Sequence, residues 1–283
     1  MKVLVTGRKG ALGQDVMAVF TQHGHEVVGF DRDGLDITDR EAVTRMVTEY
    51  QPEVIVNCAA YNAVDKAEEP DQYPVAFAIN ALGPRYLAEA AKQLGAKFVT
   101  VSTDAVFPGT KASGYVETDI RGPICKYGET KAAGEELVEQ VGGQYYIVRT
   151  ARLFGKPASS LDAKESFVVM MLRLAGSKPA LDIIDEEVGS PTYTPDLAQG
   201  IYALVHEAYP AGIYHLVNSG EGVTWYAFAE EFFKLKGVTV TRRPVPASAF
   251  PKPAARGCFT VLLSTKFSPL RSRLEALQDF LQS

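Results

Sequence analysis

The feature that most constrains this chain is at its start. The apolar, β-branched run Lys2–Thr6 leads directly into Gly7-Arg8-Lys9-Gly10-Ala11-Leu12-Gly13. Apolar residues then recur at helical spacing: Leu12, Val16, Val19 and Phe20. A strand, a glycine-rich turn and a helix in that order make a dinucleotide cradle. Gly7 permits the tight turn, Gly10 lets the backbone approach a pyrophosphate, and Gly13 lets helix and strand pack closely. The helix N-terminus adds unpaired N–H groups and partial positive charge for the phosphates. The alternation then continues, with strands expected at Glu26–Phe30, Glu53–Asn57, Lys97–Val101 and Tyr145–Arg149. Helices are expected at Asp39–Tyr50, Asp71–Leu94 and Gly128–Val141. This order implies an α/β fold, a doubly wound parallel sheet of Rossmann type, with ligands beyond the carboxyl ends of the strands.

After about residue 150 the alternation loosens. Helical patterns cover Glu165–Ala175, Pro195–Tyr209, Thr224–Lys236 and Arg271–Leu281. Ile213–Val217 reads as a strand, and Arg242–Gly257, rich in Pro, Ala and Arg, as loop. The expected division is a dinucleotide-binding domain over residues 1–150. Residues 151–283 would be mainly a smaller substrate-binding lobe, with some segments returning to the first domain.

Two positions carry the chemistry. Tyr127 and Lys131 are four apart and share a helix face. None of the other tyrosines has a lysine four residues later. An ammonium beside a phenol is expected to lower its pKa and suit it to general acid catalysis on a carbonyl. Val101-Ser102-Thr103-Asp104-Ala105-Val106-Phe107 ends the fourth strand and offers hydroxyls to a substrate oxygen. Asp31 closes the second strand, where a carboxylate binds the adenosine ribose and favours NADH. Arg32 beside it, with Arg8 and Lys9 in the loop, would instead attract the 2′-phosphate of NADPH. The sequence leaves both cofactors open.

Composition removes other classes. A net charge of −5 gives no electrostatic reason to bind nucleic acid or an anionic membrane. No run of about 18 apolar residues exists, and the chain is expected in the cytoplasm. Cys58, Cys125 and Cys258 form no Cys-x-x-Cys pair, so neither a disulfide framework nor a zinc site is expected. The four histidines have no metal-ligand spacing, and no metal is expected. Asp65, Glu68, Glu69 and Asp71 read as a solvated loop. Trp225, Phe228 and Phe232 read as a stripe facing a core or lobe interface.

The glycine loop, Asp36-Ile37-Thr38, the segments 56–68, 79–83 and 101–107, and Tyr127-Gly128-Glu129-Thr130-Lys131 together resemble the dTDP-4-dehydrorhamnose reductases. The likeness spans the chain and is strongest over residues 1–155. It implies reduction, by NADPH or NADH, of the C4 ketone of dTDP-4-dehydro-6-deoxy-L-mannose to dTDP-L-rhamnose. Thr103, Tyr127 and Lys131 would be catalytic. Gly10, Ala11 and Leu12 would meet the pyrophosphate, Asp31 the ribose, and Asp36 with Ile37 the adenine. Ala59, Ala60, Tyr61 and Asn80 would line the cofactor. Thr103, Asp104 and Arg152 would meet a nucleotide-sugar substrate, and the resemblance is compatible with a homodimer. Three positions depart from the family pattern: Arg152 replaces a tryptophan expected to pack on the sugar, Ala105 a tyrosine, and Glu187 a glutamine. A Glu187–Arg152 ion pair is one expectation. Another nucleotide-sugar reductase or epimerase, or a non-catalytic subunit like the regulatory subunit of methionine adenosyltransferase, is the alternative.

Overall fold

The computed structural model describes residues 1–159 and 165–282. Its first part comprises β1 (Lys2–Thr6), α1 (Ala11–Gln22), β2 (Glu26–Phe30), α2 (Arg40–Tyr50), β3 (Val54–Asn57) and α3 (Tyr73–Phe77). A π-helical segment Ala78–Leu82 follows, then α4 (Gly83–Leu94), β4 (Lys97–Thr103), α5 (Lys126–Val141) and β5 (Tyr145–Thr150). Next come β6 (Leu153–Phe154), α6 (Phe167–Ala175), β7 (Ala180–Ile184), β8 (Val188–Gly189), β9 (Thr192–Tyr193), α7 (Thr194–His206) and β10 (Gly212–His215). The chain ends with β11 (Asn218–Ser219), β12 (Val223–Thr224), α8 (Trp225–Lys236), β13 (Thr241–Val245), β14 (Leu270–Ser272) and α9 (Arg273–Gln282).

The main sheet has the order β10-β5-β4-β3-β1-β2, and every pairing in it is parallel. Its central strands carry apolar residues on both faces because both faces are covered. Val3, Val5, Val54, Val56, Val99 and Val148 join the core shared with Val16 and Phe20 of α1 and Leu197 and Ile201 of α7. The alternate residues Leu4, Ile55, Phe98 and Ile147 join the opposite core with Val43 of α2, Leu87 of α4 and Val138 of α5. Each fully buried Val or Ile contributes about 1.5–3 kcal/mol relative to exposure. β2 and β3 flank β1 on opposite sides, so the winding reverses at β1 and opens a crevice beyond Thr6 and Asn57.

β10 and α7 lie with this sheet although they come late in the chain. A second core gathers Phe154, Val168, Leu181, Ile183, Phe228, Phe232 and Leu277. Phe228 and Phe232 thus face a core, as their spacing predicts. The expected loop over Arg242–Gly257 needs correction. Its first residues lie in β13, which pairs in parallel with β7. Arg242, Arg243 and Pro244 carry no apolar alternation, and among the described residues the strand pairs with β7 alone. A one-sided edge tolerates charges and a proline, which hides it from pattern reading. Among the described residues, no helix is long and apolar enough to cross a membrane.

Candidate active site

The glycine loop closes tightly on itself and on the chain after β3. Gly7 has φ +70°, and a Cβ there would stand 2.7 Å from the Ala59 nitrogen. A Cβ on Gly13 would stand 2.1 Å from the Gly7 carbonyl oxygen. Gly10 caps α1 without a side chain, leaving the first-turn N–H groups of Ala11, Leu12 and Gly13 without a capping side chain. A cradle that any side chain would fill, opening on a helix N-terminus, fits a dinucleotide pyrophosphate.

Around the cradle the expected residues divide. Asp31 already accepts from Lys9 N at 3.0 Å and Arg8 Nε at 3.2 Å. Arg32 instead pairs with Asp36, Nε to Oδ2 at 3.4 Å. The other Asp36 oxygen takes the Thr38 amide and hydroxyl. Ile37 is buried, with its side chain in the core beside Gly83, so only its backbone is free for an adenine. Ala59, Ala60 and Tyr61 border the loop with part of their surface open. The expectation that Asn80 lines a cofactor needs correction. Asn80 is 1% exposed and holds Tyr61 at both its N–H (2.9 Å) and C=O (3.0 Å), and it donates to Thr130 (3.0 Å). Its buried amide is satisfied by protein, and its part is to fix Tyr61 against α5.

α5 begins at Lys126, two residues earlier than its pattern suggests, because the Cys125 sulfur accepts from Gly128 N. Gly128 also lets this turn approach β4: a Cβ would stand 2.3 Å from the Ala105 oxygen. This sets the Tyr127 phenol beside the Thr103 hydroxyl. Thr103 donates to Asp104 Oδ1 at 3.0 Å and accepts from Ala105 N at 3.1 Å. Lys131, 4% exposed, donates to the Val101 carbonyl at 2.7 Å.

The electrostatics run against one expectation. Burial pushes the Tyr127 phenol up, with Asp104 adding to the rise, and Lys131 does not bring it down. Burial also pushes Lys131 down to about 8, opposed by Glu135 and Cys58. Burying a phenolate costs more here than the neighbouring Thr103 hydroxyl offsets. Tyr127 is therefore a neutral O–H donor at physiological pH, the form a general acid needs. Burial raises Asp104 too, against hydrogen bonds from Thr260 and Thr103 and the charge of Arg152.

Arg152 and Glu187 meet, but not as an ion pair. The Arg152 NH2 nitrogen donates to the backbone oxygen of Glu187 at 2.8 Å. The Glu187 carboxylate takes Trp225 Nε1 at 2.9 Å and Lys252 Nζ at 3.0 Å. The Trp225 ring, packed against the rim of the Phe228–Phe232 core, lies with its centroid 4.0 Å from the Arg152 guanidinium. Lys252 and the structural part of Trp225 escaped sequence reading, since no local pattern connects them to Arg152. Glu135 escaped as well, although it stands one helical turn beyond Lys131 and could have been found by that spacing.

A family model described as the RmlD substrate binding domain matches residues 1–282. A dTDP-4-dehydrorhamnose reductase of Streptomyces griseus is 41% identical over 98% of this chain and 91% of its own. A dTDP-4-keto-6-deoxy-D-glucose reductase of Streptomyces niveus is 38% identical over 92% of this chain and 87% of its own. The crystal structure of dTDP-4-dehydrorhamnose reductase from Bacillus anthracis in complex with NADP superposes with a TM-score of 0.92 at 35% identity, covering 99% of this chain and 98% of that one. With matches of this length and identity, the chain belongs to the dTDP-4-dehydrorhamnose reductase family.

Proposed function

We propose that this protein is an NAD(P)H-dependent reductase that converts the C4 ketone of dTDP-4-dehydro-6-deoxy-L-mannose to the alcohol of dTDP-L-rhamnose. The observation that carries the reading is the Tyr127–Thr103 hydroxyl pair, one helical turn from Lys131 and at the same sheet edge as the glycine cradle. Gly7, Gly10, Ala11, Leu12 and Gly13 would hold the pyrophosphate, with Ala59, Ala60 and Tyr61 along its flank. When bound, the dinucleotide supplies hydride to the ketone carbon. Tyr127 hands its proton to the ketone oxygen, and Thr103 donates a second hydrogen bond to that oxygen as negative charge develops. Lys131 orients the ribose next to the reacting ring. Asp104 and Arg152 contact the sugar.

Support also comes from the relatives, whose named substrates are dTDP-linked 4-keto sugars. The Streptomyces niveus enzyme and the guanidinium of Arg152 favour a second reading, reduction of a different dTDP-4-keto-6-deoxyhexose. A homodimer and a cytoplasmic location belong to the same proposal, and light scattering of the purified protein checks the first.

The test follows NADPH and NADH oxidation by absorbance, with the keto sugar generated in place by the preceding epimerase. Wild-type turnover yielding dTDP-L-rhamnose, and a loss of at least about 100-fold in kcat for Tyr127→Phe, is the expected outcome. Tight NADPH binding without turnover of any dTDP-4-keto sugar would sink the reading.

A further inference from the structure

Arg152 stands two residues beyond β5, whose Thr150 is in register with Thr103 of β4. It therefore reaches the sheet edge beside Thr103 and Asp104. Its backbone is left-handed, φ +46°, a strained state for a residue with a Cβ. Such strain persists only where the surroundings hold it, and here the side chain is gripped on three sides. One NH1 hydrogen bonds the Val223 oxygen at 2.8 Å and one NH2 hydrogen bonds the Glu187 oxygen at 2.8 Å. One flat face covers Trp225 at 4.0 Å. The Nε edge lies on Gly189, where a Cβ would come within 2.5 Å. A guanidinium has five N–H donors. Among the described residues, hydrogen-bond acceptors take two of them.

The charges around it decide what the spare donors can take. Arg152 and Lys252 are cations, and Asp104 and Glu187 are the facing anions. They cancel, so a carboxylate or phosphate on the sugar finds no net positive charge. A methyl group would leave the donors dry and unpaired, which is costly. A neutral hydroxyl oxygen satisfies them.

We propose that Arg152 is a specificity-determining residue that donates a hydrogen bond to the C3 hydroxyl of the keto sugar. The assignment rests on the reductase reading above. Thr103 and Tyr127 take the C4 oxygen, and Asp104, next to Thr103 in the chain, leads from that oxygen to Arg152. Of the two carbons beside C4 in a 6-deoxyhexose, C5 bears the methyl group and only C3 bears a hydroxyl. The sugar thus turns its hydroxyl edge to Arg152 and its methyl edge away.

Steady-state kinetics with NADPH test this, using the 4-keto-6-deoxy sugar nucleotide and its 3-deoxy analogue on wild type, Arg152→Ala and Arg152→Lys. Charge-assisted hydrogen bonds of this kind set the expected size. Arg152→Ala lowers kcat/KM about 100-fold with the hydroxylated substrate and less than about 5-fold with the 3-deoxy analogue. Arg152→Lys recovers part of the loss on the hydroxylated substrate only. Equal losses on both substrates overturn the proposal and leave Arg152 as a brace for Trp225. Circular dichroism and NADPH fluorescence titration monitor folding and cofactor binding, and if Arg152→Ala fails to fold, Arg152→Lys and Arg152→Gln carry the same comparison. Wild-type protein that binds NADPH but reduces neither compound removes the reductase reading itself, and this proposal with it.

Discussion

Asp31 shows how much a single residue's partners alter its meaning. A free carboxylate at the end of β2 would accept the ribose hydroxyls and favour NADH. Here both oxygens already accept from the glycine loop, and the exposed Arg8 and Lys9 side chains crowd one of them. A 2′-phosphate would find cations in place. We expect higher kcat/KM with NADPH than with NADH, and Arg8→Ala should lower the NADPH value about 10-fold while leaving NADH nearly unchanged. Equal effects on both cofactors would count against this. Lys131 supplies a second residue-scale prediction. Burial lowers it to about 8, so it is charged below that pH and neutral above it. The reduction rate at limiting NADPH should hold constant from pH 6 to 7.5 and fall above about 8. Tyr127, pushed up by burial, stays protonated throughout this range and adds no second fall.

At the scale of elements, helix α5 is set by its neighbours. Gly128 brings its first turn onto the Ala105 carbonyl, and Asn80 bolts its second turn to Tyr61 through Thr130. Asn80 sits in a π segment that ends just before Pro84, a residue with no N–H to return to the preceding turn. Gly128→Ala should displace Tyr127 from Thr103, costing about 1–3 kcal/mol of stability by overpacking and at least about 10-fold in kcat. Asn80→Ala leaves the Tyr61 N–H and C=O unpaired, at about 1–3 kcal/mol each if they stay buried. Its expected signature is a lower Tm and a raised KM for NADPH, with kcat less affected. A variant that loses kcat alone would contradict this division. These elements were legible to different degrees. The 3.6-residue pattern reveals α4 and α5, but nothing periodic marks the π segment, or β13 with its two arginines and proline.

At the scale of the molecule, a buried polar network ties the sheet to α5 and to the chain near Thr265. Glu135 accepts from Arg149 Nε and NH2 at 2.9 and 2.6 Å, from Arg121 Nε at 2.6 Å and from Ser102 at 2.6 Å. Burial opposes its charge, but the two arginines and Ser102 outweigh it and hold the carboxyl below its ordinary value. His215, fully buried on β10, bonds the Leu263 carbonyl through Nδ1 (3.1 Å) and Arg149 through Nε2 (3.4 Å). That pattern requires neutral imidazole, with Nδ1 donating and Nε2 accepting. Burial lowers His215 to about 4, with Glu117 opposing and Arg149 assisting. The unfolded chain takes up this proton near pH 6.5, and the folded one only near 4. Stability is therefore full above pH 6.5 and falls as pH drops toward 4, by roughly 1.4 kcal/mol per unit for one proton. Unfolding by urea at pH 7, 6, 5 and 4.5 measures the slope, and His215→Gln should be less stable at pH 7 but shallower by that amount. An unchanged slope would assign the acid sensitivity to Glu117 or Glu135 instead.

The residues alone determined the features that repeat locally. The strand–glycine–helix start needs only neighbours within a few residues, as does the helical spacing of Tyr127 and Lys131, and the apolar strands declare a sheet covered on both faces. Only the tertiary structure decided which groups those elements bring together. Arg152 reaches Val223 across 71 residues, and Lys252 reaches Glu187 across 65. Asn80 reads as a cofactor contact until its amide is seen spent on Tyr61 and Thr130. Tyr127 reads as an acidified phenol until its burial is counted. Periodicity is a property of adjacent residues, whereas desolvation and hydrogen-bond partnership depend on what packs against a group, and that is decided when the chain closes on itself.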